Sequence, residues 1–491
     1  MLLRRFLPAG ALILSLGVTL PPARALRAPR QQASPPAAPG ASTIDDQVQV
    51  GVTAYNSGIA LVRDVRDVAL TPGDSELRFE DIAATVNPAT VHLRSLSEPS
   101  RVAVVEQNYE YDLLEPEKLL RKYVGREVTL IRTSTENGTT KEQEVRARLV
   151  SYNNGPIWKI GNEYVTGLRA DHLRFPELPS NLYSRPTLVW KLANQGGTRH
   201  RIEASYLAGG LSWNADYVLT VGRDDRSADL DGWVTLTNKS GTTFRKAKLQ
   251  LVAGDLNRVQ PAARKAMDAL VMAESVAARP AMAEESFSEY HLYTLARPTT
   301  VANDETKQLS LLAGTGVPVQ KRYVVFGQQF YYHNRNRPGT PIKDEVRVFY
   351  RFKNDEKSGL GLPMPAGVVR VYQADSKEGV QFVGEDRIDH TPKDETLEIQ
   401  IGRAFDVVCE RNQIDFQKIG GSTYEMEFEI VLRNHKIAPI VVSVNEPVGG
   451  TWEMVRSTHE WKKTAAWAAE FQVPVAAESN ATLKYRVRVT Y

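Results

Sequence analysis

Apolar and polar residues alternate with a period of two along almost the whole chain, which restricts the fold to sheets that bury one face. Val48, Val50 and Val52 lead to Ile59, Leu61 and Val65 across Tyr55-Asn56-Ser57-Gly58, a turn whose glycine can take positive φ. A second hairpin-like unit turns at Pro72-Gly73-Asp74 and continues through Val91, Leu93 and Leu96. Beyond Leu182 the runs lengthen: Thr187–Asn194, His200–Tyr206, Trp213–Val221, Gly232–Thr237 and Ala247–Val252. From Tyr290 the pattern resumes in Val346–Phe352, Val368–Tyr372, Tyr424–Leu432, Ile440–Val444 and Leu483–Tyr491. Such half-buried strands predict an all-β, multidomain, antiparallel sandwich.

Residues 101–180 read as a smaller unit. Pro116 suits the first turn of a short helix, Glu117 to Tyr123, closed by Gly125. Runs at Glu127–Arg132, Val145–Tyr152, Ile157–Ile160 and Tyr164–Leu168, with turns at Asn137-Gly138 and Asn154-Gly155, predict a small barrel-like module. Residues 258–288 break the alternation: they are Ala- and Met-rich, with a helical period through Met267, Leu270, Val271 and Glu274. A mobile insertion is the preferred reading, because a short isolated helix is marginal in water.

The N-terminus points to export. Arg4 and Arg5 precede an apolar run from Phe6 to Leu20, and Ala23-Arg24-Ala25 places small residues before a cut at Leu26. This is the layout of a cleaved secretory signal, too short for a membrane span. The segment 26–46, rich in Ala, Pro, Gln and Ser, reads as a disordered tether. The expected plan is a signal over 1–25, the tether, an N-terminal β module over 47–100, the small module over 101–180, and an immunoglobulin-like sandwich region over 181–257 and 289–491 interrupted by 258–288. The chain has 491 residues, 61 basic and 58 acidic. The signal holds three of the basic residues and none of the acidic ones, so the processed chain is formally neutral. Without a concentrated basic face, nucleic acid is excluded as a partner class. The single cysteine, Cys409, rules out an internal disulfide.

The candidate chemistry is sparse. Cys409 sits in Asp406-Val407-Val408-Cys409-Glu410, an apolar and acidic setting that opposes thiolate formation and fits a buried strand residue. His390 and His435 stand elsewhere in the chain as candidate bases. Asp224, Asp225, Asp229 and Asp231, followed by Gly232, offer the oxygen ligands that calcium prefers. They lack the twelve-residue loop with its closing Glu, and a solvated turn is the preferred reading. Glu106, Glu110, Asp112 and Glu115 could supply the paired carboxylates of a glycoside hydrolase, or simply a polar strand face beside Tyr109 and Tyr111. The glycines of 359–367 are followed by prolines and a strand, so an edge turn is preferred to a phosphate cradle. No catalytic residue and no cofactor is implied.

Five motifs occur in order: Leu211-Ser212-Trp213-Asn214-Ala215-Asp216-Tyr217, Val252-Ala253-Gly254-Asp255, Tyr290-His291-Leu292-Tyr293-Thr294-Leu295, Asn303-Asp304-Glu305-Thr306-Lys307-Gln308, and residues 354–367, NDEKSGLGLPMPAG. This run, over about 185–491, resembles the bacterial domain of unknown function 4139, shared with the mucoidy inhibitor A proteins. The resemblance implies an exported, β-rich envelope protein and no established activity; the long coiled coil of the mucoidy inhibitor type is lacking here. The expected function is therefore an exported, non-enzymatic protein, periplasmic or secreted, that binds or scaffolds an envelope or extracellular protein or glycan. An apolar groove or a free strand edge would serve it. The alternatives are an extracellular hydrolase of glycan or peptide, and an outer-membrane barrel closed by the terminal strand Leu483, Tyr485, Val487, Val489 and Tyr491.

Overall fold

The computed structural model describes residues 40–491 apart from 111–114, 137–138, 169, 180–184, 255–281, 334, 336–339, 376 and 378. The signal segment, most of the tether, residues 258–281 of the insertion, the Asn137-Gly138 turn and Asp112 lie outside the described residues. The fold is all-β, as the alternation requires, and the strands among the described residues form six sheets. Sheet I runs Ala41–Ser42, Gly73–Glu80, Thr187–Asn194, Val102–Glu110. Sheet III places Gln47–Tyr55, Ile59–Ala69, Arg199–Gly209 and Phe244–Ala253 side by side. Sheet IV orders Glu305–Pro318, Ser227–Asn238, Leu211–Val221, Gly367–Ala374, Val380–Ile388. Sheet V orders Thr396–Arg403, Val346–Lys353, Gln320–Phe326, Ile440–Pro447, Ala468–Val475, Trp461–Ala465. Sheet VI orders Ile342–Asp344, Val407–Gly420, Thr423–Asn434, Ser479–Thr490, Thr451–Ser457.

Several boundaries differ from the sequence expectation. The residues 47–69 are not a module of their own: Ile59–Ala69 pairs with Arg199–Gly209, and Phe244–Ala253 pairs in parallel with Gln47–Tyr55. Ala41–Ser42, expected in the tether, pairs with Arg78 and Phe79. Met282–Phe287, expected in the insertion, pairs with Tyr290–Leu295 at an edge of sheet III. Residues 101–180 do not close into a barrel. Val102–Glu110 leaves to join sheet I, and the remaining strands form sheet II, an open meander between Glu163–Thr166 and His172–Arg174. A helix, Pro116–Lys122, precedes the meander, and Tyr123 packs into its small core with Leu130, Leu149 and Trp158. Gly367–Ala374 is an internal strand, so the glycine-rich stretch before it is not an edge turn.

Among the described residues no sheet closes on itself. Sheets V and VI instead bury a core between them, with Phe428, Leu432, Phe471 and Val487. The outer-membrane barrel alternative is thereby corrected, because strands that bury their apolar faces against another sheet have none to offer lipid. One strand ties two cores together: Val346 and Val348 belong to the sheet V–VI core, Tyr350 and Phe352 to the large core of sheets I, III and IV.

The strand ends share one device. Asn194, Asn238, Asn354 and Asn434 each occupy the next inward position after core residues, as after Val234 and Leu236 or Ile430 and Leu432. Each is buried, and its Nδ2 donates to backbone carbonyls of its own loop and a neighbouring one. Asn194 reaches Thr71 and Gly197, Asn238 reaches Thr242, Val301 and Ala302, Asn354 reaches Leu362 and Pro392, and Asn434 reaches Ala438, Val475 and Ala476. Each Oδ1 accepts a backbone N–H, from Gly196, Ser240, Gly361 and Lys436 respectively. Two residues after Thr71, Ala302, Pro392 and Ala476 stand Gly73, Asp304, Asp394 and Glu478, all at positive φ.

The sheet edges are irregular. On Val102–Glu110, Val105 is the extra residue of a register shift. Leu311, Val383, Ile401, Val455 and Thr464 are the extra residues on the edge strands Glu305–Pro318, Val380–Ile388, Thr396–Arg403, Thr451–Ser457 and Trp461–Ala465.

Replacing Asn238 or Asn434 with Ala orphans buried carbonyls. Each substitution should lower the unfolding free energy by about 3 kcal/mol, read by urea titration; a loss under about 0.5 kcal/mol would contradict the clasp.

Candidate functional site

The residues that sequence reasoning singled out are spent on structure. Cys409 is buried on the Val407–Gly420 strand, and burial pushes its thiol up to about 12. The four aspartates are not gathered. The strand Ser227–Asn238 begins earlier than the alternation indicates, so Asp229 and Asp231 lie in a ladder and not in a loop. Asp229 accepts from the Gly316 N–H at 2.9 Å, and Asp224 caps the Arg226 N–H at 3.1 Å. Asp231 has its carboxyl pushed up by burial and by the neighbouring Asp229 charge.

Asp225 joins sheets IV and V. It sits at left-handed φ and accepts from the Tyr350 hydroxyl, from Gln373 Nε2 at 2.7 Å and from Lys321 Nζ at 3.1 Å. Burial and this hydrogen bond push the Tyr350 phenol far above its usual value. Among the described residues no group of three or more His, Cys, Asp or Glu is placed to hold a metal ion. Of the acidic quartet, Glu106 pairs with Lys191 at 2.5 Å and Glu115 with Lys118 at 3.2 Å, on separate elements.

The densest unpredicted chemistry lies in the last sandwich. Arg411 is fully buried, at the inward parity of Val407 and Cys409. Its Nε donates to Asp344 at 2.7 Å, its Nη2 lies 2.7 Å from Glu446, and its guanidinium stands 5.0 Å from the Tyr331 ring centre. Tyr332 donates to Glu446 at 2.5 Å, and Tyr331 to Asp344 at 3.0 Å. Burial works against the Arg411 charge, but Glu446 foremost, with Tyr485 and Asp344, holds it protonated well above its ordinary value. Burial, and then Glu446, push the phenols of Tyr332 and Tyr485 up. A smaller counterpart lies in the first sandwich, where Arg66 donates to Asp64 at 2.8 Å and to the Ser42 carbonyl at 3.1 Å, over the Phe79 ring.

In front of the Arg411 network opens a cleft of about 170 Å³. Phe326 and Tyr331 line one part, Lys343, Asp344, Glu345 and Arg347 another. The 3-10 turn Gln329–Tyr332 sends Tyr331 and Tyr332 inward and leaves Phe330 exposed. The short strand Ile342–Asp344 holds the other part by pairing with Cys409, Glu410 and Arg411. The signal for Arg411 was present in the sequence, as a charge on the inward parity of an apolar strand. The cleft had none, since its lining gathers Phe326 and Arg347, brought together by the antiparallel pairing of Gln320–Phe326 with Val346–Lys353, and the short strand Ile342–Asp344 of the other sheet.

Compared with protein-family models and with curated proteins, the chain matches none.

Arg411→Met would leave two buried carboxylates without their cation and should cost about 3–5 kcal/mol by urea unfolding, against under about 1 kcal/mol for Arg403→Met at the surface. The tyrosines add a pH dependence. A phenol whose folded value is raised contributes stability that is complete below about pH 10 and is lost as the unfolded chain ionises above it. Unfolding free energy should therefore fall from about pH 10 upward, and Tyr332→Phe should flatten that slope.

Proposed function

We propose that the chain is an exported, non-enzymatic β protein that binds or scaffolds an envelope or extracellular protein or glycan. The observation that carries this reading is where the reactive side chains are committed. Cys409 is buried with its thiol pushed up, Asp225 braces two sheets, Glu106 is paired on a strand face, and the Arg411 cluster fastens the cleft from behind. A binding protein needs rigid surface with fixed polar groups, and these struts provide it. The signal-like N-terminus supports export, and the motif order along 185–491 supports kinship with the bacterial domain of unknown function 4139.

Capture would use side chains on sheet faces and in the cleft. Strand addition requires a regular edge; the extra residues Val105, Leu311, Val383, Ile401, Val455 and Thr464 interrupt six of the described edge strands, whereas the edge strand Met282–Phe287 pairs without a break.

Affinity capture of the tagged, processed protein from its own envelope, read by mass spectrometry, should return one stoichiometric protein or a glycan. Turnover of a glycan or peptide panel without any retained partner would instead favour a hydrolase.

A further inference from the structure

The cleft has unequal charge accounts. Its two acids are already engaged: Asp344 by Arg411 at 2.7 Å and Tyr331 at 3.0 Å, and Glu345 by Arg403 at 2.7 Å. Its two cations form no ion pair among the described residues, though Lys343 acts on the Glu410 charge from a distance and Arg347 lies over the Phe326 ring. Among the described residues neither Lys343 nor Arg347 has a carboxylate within ion-pair distance. Glu410, opposite Lys343 in the ladder, is held by Arg433 at 2.5 Å. Counting the partners behind the wall, Lys343, Arg347, Arg403 and Arg411 face Asp344, Glu345 and Glu446, so one positive charge is left for an incoming anion to balance.

Beside these cations stands a flat apolar wall. Phe326 is 40% exposed, with the Arg347 guanidinium 5.4 Å from its ring centre and Phe349 edge-on at 6.3 Å. A guanidinium positioned against a ring is oriented for two parallel hydrogen bonds to a carboxylate or phosphate. The exposed ring suits the C–H face of a sugar, and the Gln328 amide, also in the lining, can both donate to and accept from hydroxyls. At about 170 Å³ the space is smaller than the roughly 300–1,000 Å³ of drug-sized pockets, so it fits one terminal residue and not a chain. The floor is rigid, since the backbone of 342–344 is paired with 409–411 and Asp344 is pinned from behind.

We propose that this cleft binds the anionic end of a saccharide, a sugar carboxylate or a sugar phosphate. The proposal rests on the binding reading above and gives it a ligand class. Recognition is by charge from Lys343 and Arg347 and by stacking on Phe326.

Isothermal titration of the processed full-length chain with glucuronate, glucose 6-phosphate, glucose and inorganic phosphate tests it. Glucuronate or glucose 6-phosphate should saturate, and which of the two binds tighter identifies the anion. Glucose should bind about tenfold more weakly or not at all, a difference of about 1.4 kcal/mol. Lys343→Gln and Arg347→Gln should each weaken the sugar anion about fivefold or more, and Phe326→Ala should weaken it while leaving inorganic phosphate unchanged. Unaltered thermal unfolding of the Lys343→Gln variant keeps the comparison clean. Equal affinity for glucose and its anions, indifference to the three substitutions, or inorganic phosphate binding as tightly as the sugar anions would overturn the proposal. If no probe binds while affinity capture still returns a stoichiometric partner, this inference falls and the binding reading stands. If both fail, both fall.

Discussion

A β-sandwich must turn its chain at every strand end without stranding carbonyls in the core, and four asparagines meet that constraint in the same way. An amide is the one side chain that donates twice and accepts at a single planar head. At Asn194, Asn238, Asn354 and Asn434 it continues the inward parity of the strand by one step and satisfies the loop that follows. It also takes a carbonyl from the neighbouring loop, two residues before a left-handed residue that opens the next strand. Local turn, long-range pairing and core closure are thereby fixed by one group. The unit recurs in sheets I, IV, V and VI, so the molecule reiterates one structural motif at four strand ends.

The buried arginines are a second tier of the same logic. Arg66 and Arg411 each stand at a buried inward position of a strand and beside an aromatic ring, Arg66 paired with Asp64 of its own strand and Arg411 with Asp344 and Glu446. Such pairs are weak evidence for net stability, because desolvation offsets most of the attraction. Their effect is on uniqueness: once Asp344 and Glu446 are inside, only the arrangement that brings Arg411 between them is tolerated. Arg66 reaches the Ser42 carbonyl and so fixes where the described chain enters sheet I.

Much of the strand pattern was legible because alternation is a direct image of one-sided burial. Thr187–Asn194 agrees end to end, and Val368–Tyr372 falls inside Gly367–Ala374. What alternation cannot say is which strand lies beside which. The small barrel was misjudged for that reason, since closure depends on the outer strands meeting and Val102–Glu110 pairs elsewhere. The aspartate cluster was misplaced because Asp229 and Asp231 sit at strand positions where polar residues face outward, and outward positions carry little pattern. Charges on inward parity, by contrast, were readable signals: Asp64 with Arg66, and Arg411 beyond Cys409. The cleft was not read: Phe326 and Arg347 meet through neighbouring strands of sheet V, and Lys343 joins them on a strand of sheet VI too short to show alternation.

The bulged margins have a consequence for how this molecule lives among its own copies. A regular outer strand is a template, and a protein carrying many of them drifts toward ribbons and fibres as its concentration rises. Here Val105, Leu311, Val455 and Thr464 each put one residue out of step along an edge strand, so that two copies brought together along those margins cannot keep their hydrogen bonds in phase. In a fold built mostly of strands, small faults in periodicity thus blunt these margins against edge-to-edge pairing.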